Sequence, residues 1–222
     1  MLAAILYDLD GTIVNTDPLH YQVWQQLLRE VGIEIDEEFY LARMSGRLNP
    51  AIVQELLPEL SPEAVEQFSE LKEARFRELA TELTPLPGLL NAIAWAEARG
   101  LKQAVVTNAP RQNAYHMLRV LNLQERFERV VISEDIGVAK PDPGPYQYIL
   151  NQFGLTPEQA LAFEDSPSGI RAAVGAGIPT VGIASTQDPT DLYHLGAMLV
   201  IPDFTDSQLW ALLDSPKPNY HG

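Results

Sequence analysis

Ile5-Leu6-Tyr7-Asp8-Leu9-Asp10-Gly11-Thr12-Ile13-Val14 is the stretch on which the reading of this chain turns. The apolar run from Ala3 to Tyr7 reads as a strand buried on both faces, ending in a turn opened by Gly11. Residues two apart on an extended segment point the same way, so Asp8 and Asp10 leave the strand end on one side. Two acids so placed can hold a divalent cation, or divide between them the work of nucleophile and general acid–base. An Asp-rich turn closing a strand is the plainer reading of the same residues. Three later stretches weigh against it.

The 222 residues, 46% of them hydrophobic, suffice for one large domain or for a core domain with a smaller companion. A net charge of -15 opposes binding to nucleic acid and to anionic membranes, so neither is expected as a partner. An anionic substrate would need a local patch of positive charge. With no cysteine, disulfides, thiol nucleophiles and thiolate metal sites drop out together, and oxygen ligands or the four histidines remain for a metal. No basic run precedes the first apolar segment, and Asp8 and Asp10 interrupt it too early for a signal peptide or a membrane span. A cytoplasmic protein is expected, as a monomer or weak homodimer.

After the acidic strand, Asp17 can cap a helix with Pro18 in its first turn, running to about Val31-Gly32 with His20, Trp24, Leu27 and Val31 along one stripe. Helical spacing then covers Asp36 to Met44, Asn49 to Leu57 and Pro62 to Leu83, with turns at Ser45-Gly46 and at Pro58 to Pro62. Thr84-Pro85-Leu86-Pro87-Gly88 closes this all-helical insert and pairs with Val14 to Thr16 as a two-strand hinge. Beyond it, helices at Leu89 to Arg99, Pro110 to Leu121, Pro145 to Phe153 and Ser168 to Gly175 alternate with strands. The strands are Gln103 to Val106, Val130 to Ser133, Ala160 to Phe163, Pro179 to Ile183 and Met198 to Ile201. Such alternation predicts an α/β fold, a Rossmann-like doubly wound parallel sheet with an inserted all-helical cap domain. The core is expected over 1–14 and 85–222 and the cap over 15–84; Ser215 to Gly222 reads as a polar tail.

Four strand ends carry polar residues: Asp8 and Asp10, Thr107 and Asn108, Lys140 in the loop after its strand, and Glu164 with Asp165. A parallel sheet brings those ends to one edge, although they are far apart in sequence. Each answers a need of phosphoryl transfer. Asp8 can attack phosphorus, and Asp10 can protonate the leaving oxygen and then deprotonate water. Thr107 and Asn108, where a strand turns into a helix that Pro110 helps to start, can hold phosphate; a helix cap is the plainer alternative for Thr107, and Asn108 could equally be that cap. Lys140 can neutralise phosphoryl oxygens and the nucleophile. Asp165 and Asp8, with a backbone carbonyl such as that of Asp10, suit Mg²⁺; Glu164 either joins them or orients what they hold.

In order and spacing, D-L-D-G-T at Asp8 to Thr12, V-T-N at Val106 to Asn108, Lys140-Pro141-Asp142-Pro143 and F-E-D-S at Phe163 to Ser166 resemble the four motifs of the haloacid-dehalogenase-like hydrolases. The insert resembles the small helical cap of the subgroup that includes β-phosphoglucomutase and phosphoglycolate phosphatases. Thr107 to Arg111 and Lys140 to Tyr146 look most like broad-range sugar-phosphate phosphatases. The resemblance implies a Mg²⁺-dependent phosphatase of small phosphorylated metabolites, sugar phosphates first among them, with Asp8, Asp10, Thr107 and Lys140 catalytic and Asp8, Asp10, Glu164 and Asp165 at the metal.

For the cap, His20 matches a histidine of the mutase-like members, against a packed helix-face residue as the alternative. Arg47 could reach the distal part of a sugar phosphate, or be an exposed arginine. Lys72 loosely matches a cap lysine, yet with Arg75 it sits on a charged helix that by default is a solvated face. Mutases place an arginine where this chain has Asn49, which disfavours a phosphomutase, the alternative function. A phospho-acceptor signalling domain is disfavoured by the insert and by Asp10, since it has no leaving group to protonate. Carbon–halogen displacement needs neither Asp10 nor a metal site.

Overall fold

The computed structural model describes residues 1–185 and 187–215. Apart from Ser215, the tail expected at the C-terminus lies outside them. The chain forms β1 (Ala4–Tyr7), then α1 (Asp17–Glu30), α2 (Glu37–Arg43), α3 (Asn49–Leu56) and α4 (Pro62–Leu79). From there helices and strands alternate: α5 (Leu89–Ala98), β2 (Lys102–Thr107), α6 (Arg111–Val120), β3 (Arg129–Ile132), α7 (Ser133–Ile136) and α8 (Gly144–Phe153). The rest is β4 (Ala160–Glu164), α9 (Pro167–Gly175), β5 (Thr180–Ile183), α10 (Pro189–His194), β6 (Leu199–Ile201) and α11 (Ser207–Leu213). Two compact units result, Thr16–Glu82 and the remainder of the chain on either side of it.

The α/β unit is built on one six-stranded sheet in the order β3-β2-β1-β4-β5-β6, with every pairing parallel. The order reverses between β1 and β4, the switch point where a doubly wound sheet opens a crevice at its carboxyl edge. Side chains alternate across a strand, and that parity sorts the core. Ala4, Leu6, Ala104, Val106, Ala160 and Ala162 pack with Tyr146 and Ile149 of α8 and Ala172 and Ala173 of α9. On the other parity, Tyr7 stacks on Phe163 at 5.5 Å and lies 6.3 Å from Phe204, while its hydroxyl donates to Gln103.

The helical unit has its own core: Trp24, Leu28, Ile35, Tyr40, Met44, Ile52, Val53, Leu57 and Val65. Two local expectations change here. Asp17 lies inside α1, and its carboxylate accepts from the Tyr40 hydroxyl at 2.6 Å and from Ser45 Oγ at 3.1 Å, tying helix to helix where an N-cap was expected. Val31 is 48% exposed, and the buried face of α1 is Val23, Trp24, Leu27 and Leu28, because the helix stops at Glu30. Helix α4 ends at Leu79, four residues early, with Ala80 at ψ 58 already outside helical space. The helices α7, α10 and α11, of four, six and seven residues, were not foreseen: fewer than two turns give no periodicity to read. Among the described residues no helix is long and apolar enough to cross a membrane.

Candidate active site

Register positions the first carboxylates. Tyr7 pairs with Phe163, and the Asp8 amide extends the ladder by donating to the Phe163 carbonyl at 3.0 Å. Asp8 and Glu164 therefore stand side by side on adjacent strand ends. Both continue the parity of Ala4, Leu6, Ala160 and Ala162, and so face the α8 and α9 side of the sheet. Asp165, one residue on, completes a group in which Asp8, Glu164 and Asp165 can each offer an oxygen within 4.8 Å of the others. All three are buried.

Lys140 answers them. Its ammonium donates to Asp8 Oδ1 at 2.5 Å and to Glu164 Oε1 at 2.6 Å, and the residue is 7% exposed. Burial works against a charged lysine, but the two carboxylates outweigh that and lift its pKa above the ordinary value. Burial likewise pushes the Asp8 carboxyl above the usual carboxylate range; Lys140 pulls it back, while Glu164 and Asp10 push it further up. Three carboxylates against one ammonium leave two negative charges in excess when all are ionised.

That excess, in an all-oxygen donor set, is what a hard divalent cation fits. Glu164 Oε2 is buried and accepts no hydrogen bond among the described residues. Two glycines make the cluster possible. At Gly11, φ is +82°, and a Cβ there would collide with the Asp165 carboxylate. At Gly169, in the first turn of α9, a Cβ would collide with the Glu164 carboxylate. Asp10 is not part of the three-carboxylate group.

At the second strand end the Asn108 side-chain amide is engaged within the α/β unit. Its Nδ2 donates to the Lys140 carbonyl at 3.1 Å, and its Oδ1 accepts from the Lys140 amide at 3.1 Å and from Ser133 Oγ at 2.6 Å. The side chain is thus a brace that holds the loop carrying Lys140. Thr107 Oγ1 accepts from the Ala109 amide at 2.9 Å and is buried. The Arg111 amide at the start of α6 donates to Glu134 at 2.8 Å, so part of that helix terminus is already satisfied. The residue that sequence reasoning missed is Tyr146. Its hydroxyl donates to the same Glu164 Oε1 at 2.5 Å. Burial, and next the Glu164 charge, raise its pKa well above that of a free phenol, so it remains a donor. The position followed from Lys140 and the α8 periodicity, but no spacing rule announced the contact.

In the helical unit, Lys72 is not on a solvated face: it is 3% exposed and donates to Glu73 at 2.9 Å and to His20 Nδ1 at 2.8 Å. An ammonium can only donate, so Nδ1 is the accepting nitrogen of His20. The His20 ring stacks on Phe76 at 4.3 Å. The Asn49 amide donates to the same Glu73 oxygen. Burial works against the Glu73 carboxylate, yet Lys72 and His20 offset it and its pKa is lowered. Arg47 donates to Glu55 at 2.8 Å and to the Arg43 carbonyl at 2.5 Å.

The family model described as haloacid dehalogenase-like hydrolase matches residues 5–183. The chain belongs to the haloacid dehalogenase-like hydrolases. It is similar to the phosphorylated carbohydrates phosphatase of Thermotoga maritima, 29% identical over 206 residues, covering 90% of this chain and 94% of that protein. It is also similar to the fructose-1-phosphate phosphatase YqaB of Escherichia coli, 30% identical over 184 residues, covering 82% of this chain and 96% of that one. Among solved structures, CbbY from Rhodobacter sphaeroides in complex with phosphate superposes with a TM-score of 0.81 at 26% identity, over 93% of this hydrolase and 96% of that chain.

Proposed function

We propose that this hydrolase is a Mg²⁺-dependent phosphatase of small phosphorylated carbohydrates, working through an aspartyl phosphate on Asp8. The observation that carries the reading is the buried Asp8 carboxylate, ion-paired to Lys140 beside Glu164 and Asp165 at the sheet's switch point. The names of the relatives support the substrate class. An Asp8 oxygen attacks phosphorus and the bond to the alkoxide oxygen breaks; Asp10 gives that oxygen its proton. Asp10 then takes a proton from water, whose oxygen attacks phosphorus, and the Asp8–phosphorus bond breaks to release phosphate. Lys140 spreads positive charge over the transferring oxygens, and Asn108 holds the loop from which it projects.

Asp8 and Asp165, with Glu164 beside them, would hold the cation, which supplies charge neutralisation of the phosphoryl group and keeps Asp8 ionised. The pairing of Asn49 with Glu73 favours hydrolysis over mutase action, since the amide is already engaged by a carboxylate. The test is phosphate release from a panel of phosphorylated metabolites with Mg²⁺ and with a chelator. Release that survives exhaustive chelation, or an absence of release from every sugar phosphate, would overturn the reading.

A further inference from the structure

The geometry points to Tyr146 as a positioning residue of the reaction, its hydroxyl holding Glu164 so that the Lys140 ammonium stays on Asp8. The inference rests on the phosphatase reading for its kinetic consequence, though not for its geometry. Lys140 Nζ lies between two carboxylates at nearly equal range, 2.5 Å to Asp8 and 2.6 Å to Glu164. In a buried site such an ammonium settles toward whichever carboxylate concentrates more charge. Glu164 Oε1 takes two short hydrogen bonds, from Lys140 and from Tyr146, and the phenol draws off part of the charge on the oxygen they share. The phenol also fixes the carboxylate's rotamer, as Gly169 does from the other side by leaving room for it. Removing one oxygen atom at Tyr146 would strengthen the rival of Asp8 and release its orientation together.

Several features suit Tyr146 to this task. It is fully buried, so the hydroxyl meets no bulk water, and its ring packs into the core cluster beneath α8. The Lys140 ammonium sits 5.5 Å from its ring centroid, a cation–π contact that a phenylalanine would keep. The hydroxyl alone is therefore separable. A neighbour one helical step away, Tyr148, is 44% exposed and serves as a control.

The experiment compares Tyr146→Phe and Tyr148→Phe with the wild type, on the sugar phosphate that the wild type turns over best, with Mg²⁺ present. Tyr146→Phe should lower kcat about 10- to 100-fold, the range of outer-shell positioning partners, with KM changed by less than about threefold. Tyr148→Phe should match the wild type. Thermal melting by circular dichroism runs alongside. A folded Tyr146→Phe with wild-type kcat overturns the inference. A Tyr146→Phe that is unfolded at the assay temperature overturns it too, since the hydroxyl would then be holding the core and not the lysine. A crystal structure of Tyr146→Phe needs no turnover: Lys140 Nζ should move beyond about 3.2 Å, the limit of a hydrogen bond, from Asp8 Oδ1. An unmoved lysine overturns the inference even if the wild type proves to hydrolyse no phosphate ester, the outcome that would instead sink the phosphatase reading.

Discussion

Each unit of this chain buries a lysine against carboxylate, and the two solutions differ in charge balance. In the helical unit, Lys72 donates to Glu73 and to His20 Nδ1, and Glu73 also accepts from the Asn49 amide. Within that ion pair the two charges balance. In the α/β unit, Lys140 meets Asp8 and Glu164 with Asp165 alongside, an arrangement of excess negative charge that solvation cannot relieve because all of it is buried. A self-satisfied buried pair is a structural device that costs stability when one partner is removed. An unbalanced buried cluster is relieved either by taking up a proton or by binding a cation. The difference supports our proposal that the chemistry sits in the α/β unit.

The largest effect expected is at Asp8. Asp8→Asn replaces the nucleophile with an amide and should abolish phosphate release and covalent phosphate incorporation, read by colorimetric release and by mass spectrometry of acid-quenched enzyme. It should also leave the protein at least as stable as the wild type when metal is absent, because it removes one of the surplus buried charges. A metal-free Asp8→Asn that melts well below metal-free wild type would break the argument from charge excess. Next comes Asp165→Ala. One hard anionic ligand is lost from a small set, so the Mg²⁺ concentration for half-maximal activity should rise by an order of magnitude or more, or activity vanish. An unchanged Mg²⁺ titration would remove Asp165 from the metal's ligands.

How much of this was legible depended on what each feature rests on. The strands, their order along the chain and the convergence of Asp8, Lys140, Glu164 and Asp165 were readable, since a parallel sheet gathers strand ends by rule and its buried strands are unbroken apolar runs. Contacts made by chance of packing were not. Tyr146 reaches Glu164 because α8 crosses the sheet face to which residue parity assigns Glu164, and parity alone says nothing of which helix covers that face. Asn108 was readable as a polar strand-end residue but not as a brace for Lys140, which lies 32 positions later. The solvated face that a charged helix offers by default fails for Lys72, because such a helix carries no mark of which charges its neighbours cover; its burial depends on His20, Phe76 and Glu73 meeting it in space.

A middle-sized effect should follow from the glycines that make room for the cluster. Gly169→Ala sets a methyl group where the Glu164 carboxylate lies, in a helix that otherwise favours alanine. It should reduce kcat about 10- to 100-fold, as loss of an orienting partner does, and lower the melting temperature less than Gly11→Ala does, since the helical backbone there accepts alanine. Gly11→Ala meets both a collision with Asp165 and a positive φ, and should reduce activity and melting temperature together. Equal behaviour of the two variants would mean that the Glu164 pocket is a packing feature and that the cluster's geometry has slack.

The smallest effect tests the helical unit's side of the comparison. If the Lys72, Glu73 and Asn49 network is self-satisfied, an arginine introduced at 49 would find a carboxylate waiting and pair with Glu73, which already accepts from that position. Its guanidinium would then have little charge left to offer a second phosphate, and mutase chemistry depends on retaining a bisphosphate while the product turns over. Asn49→Arg should therefore leave hydrolysis as the outcome, with kcat/KM for a monophosphate shifted by no more than about fivefold, the size of a ~1 kcal/mol ion pair. The measurement is the product distribution from β-glucose 1-phosphate by ³¹P NMR, with and without a bisphosphate primer. Accumulation of glucose 6-phosphate by Asn49→Arg faster than free phosphate would show that Glu73 does not hold the arginine. The charge balance drawn for the helical unit would then be wrong, and the step from phosphatase to mutase would be a single residue wide.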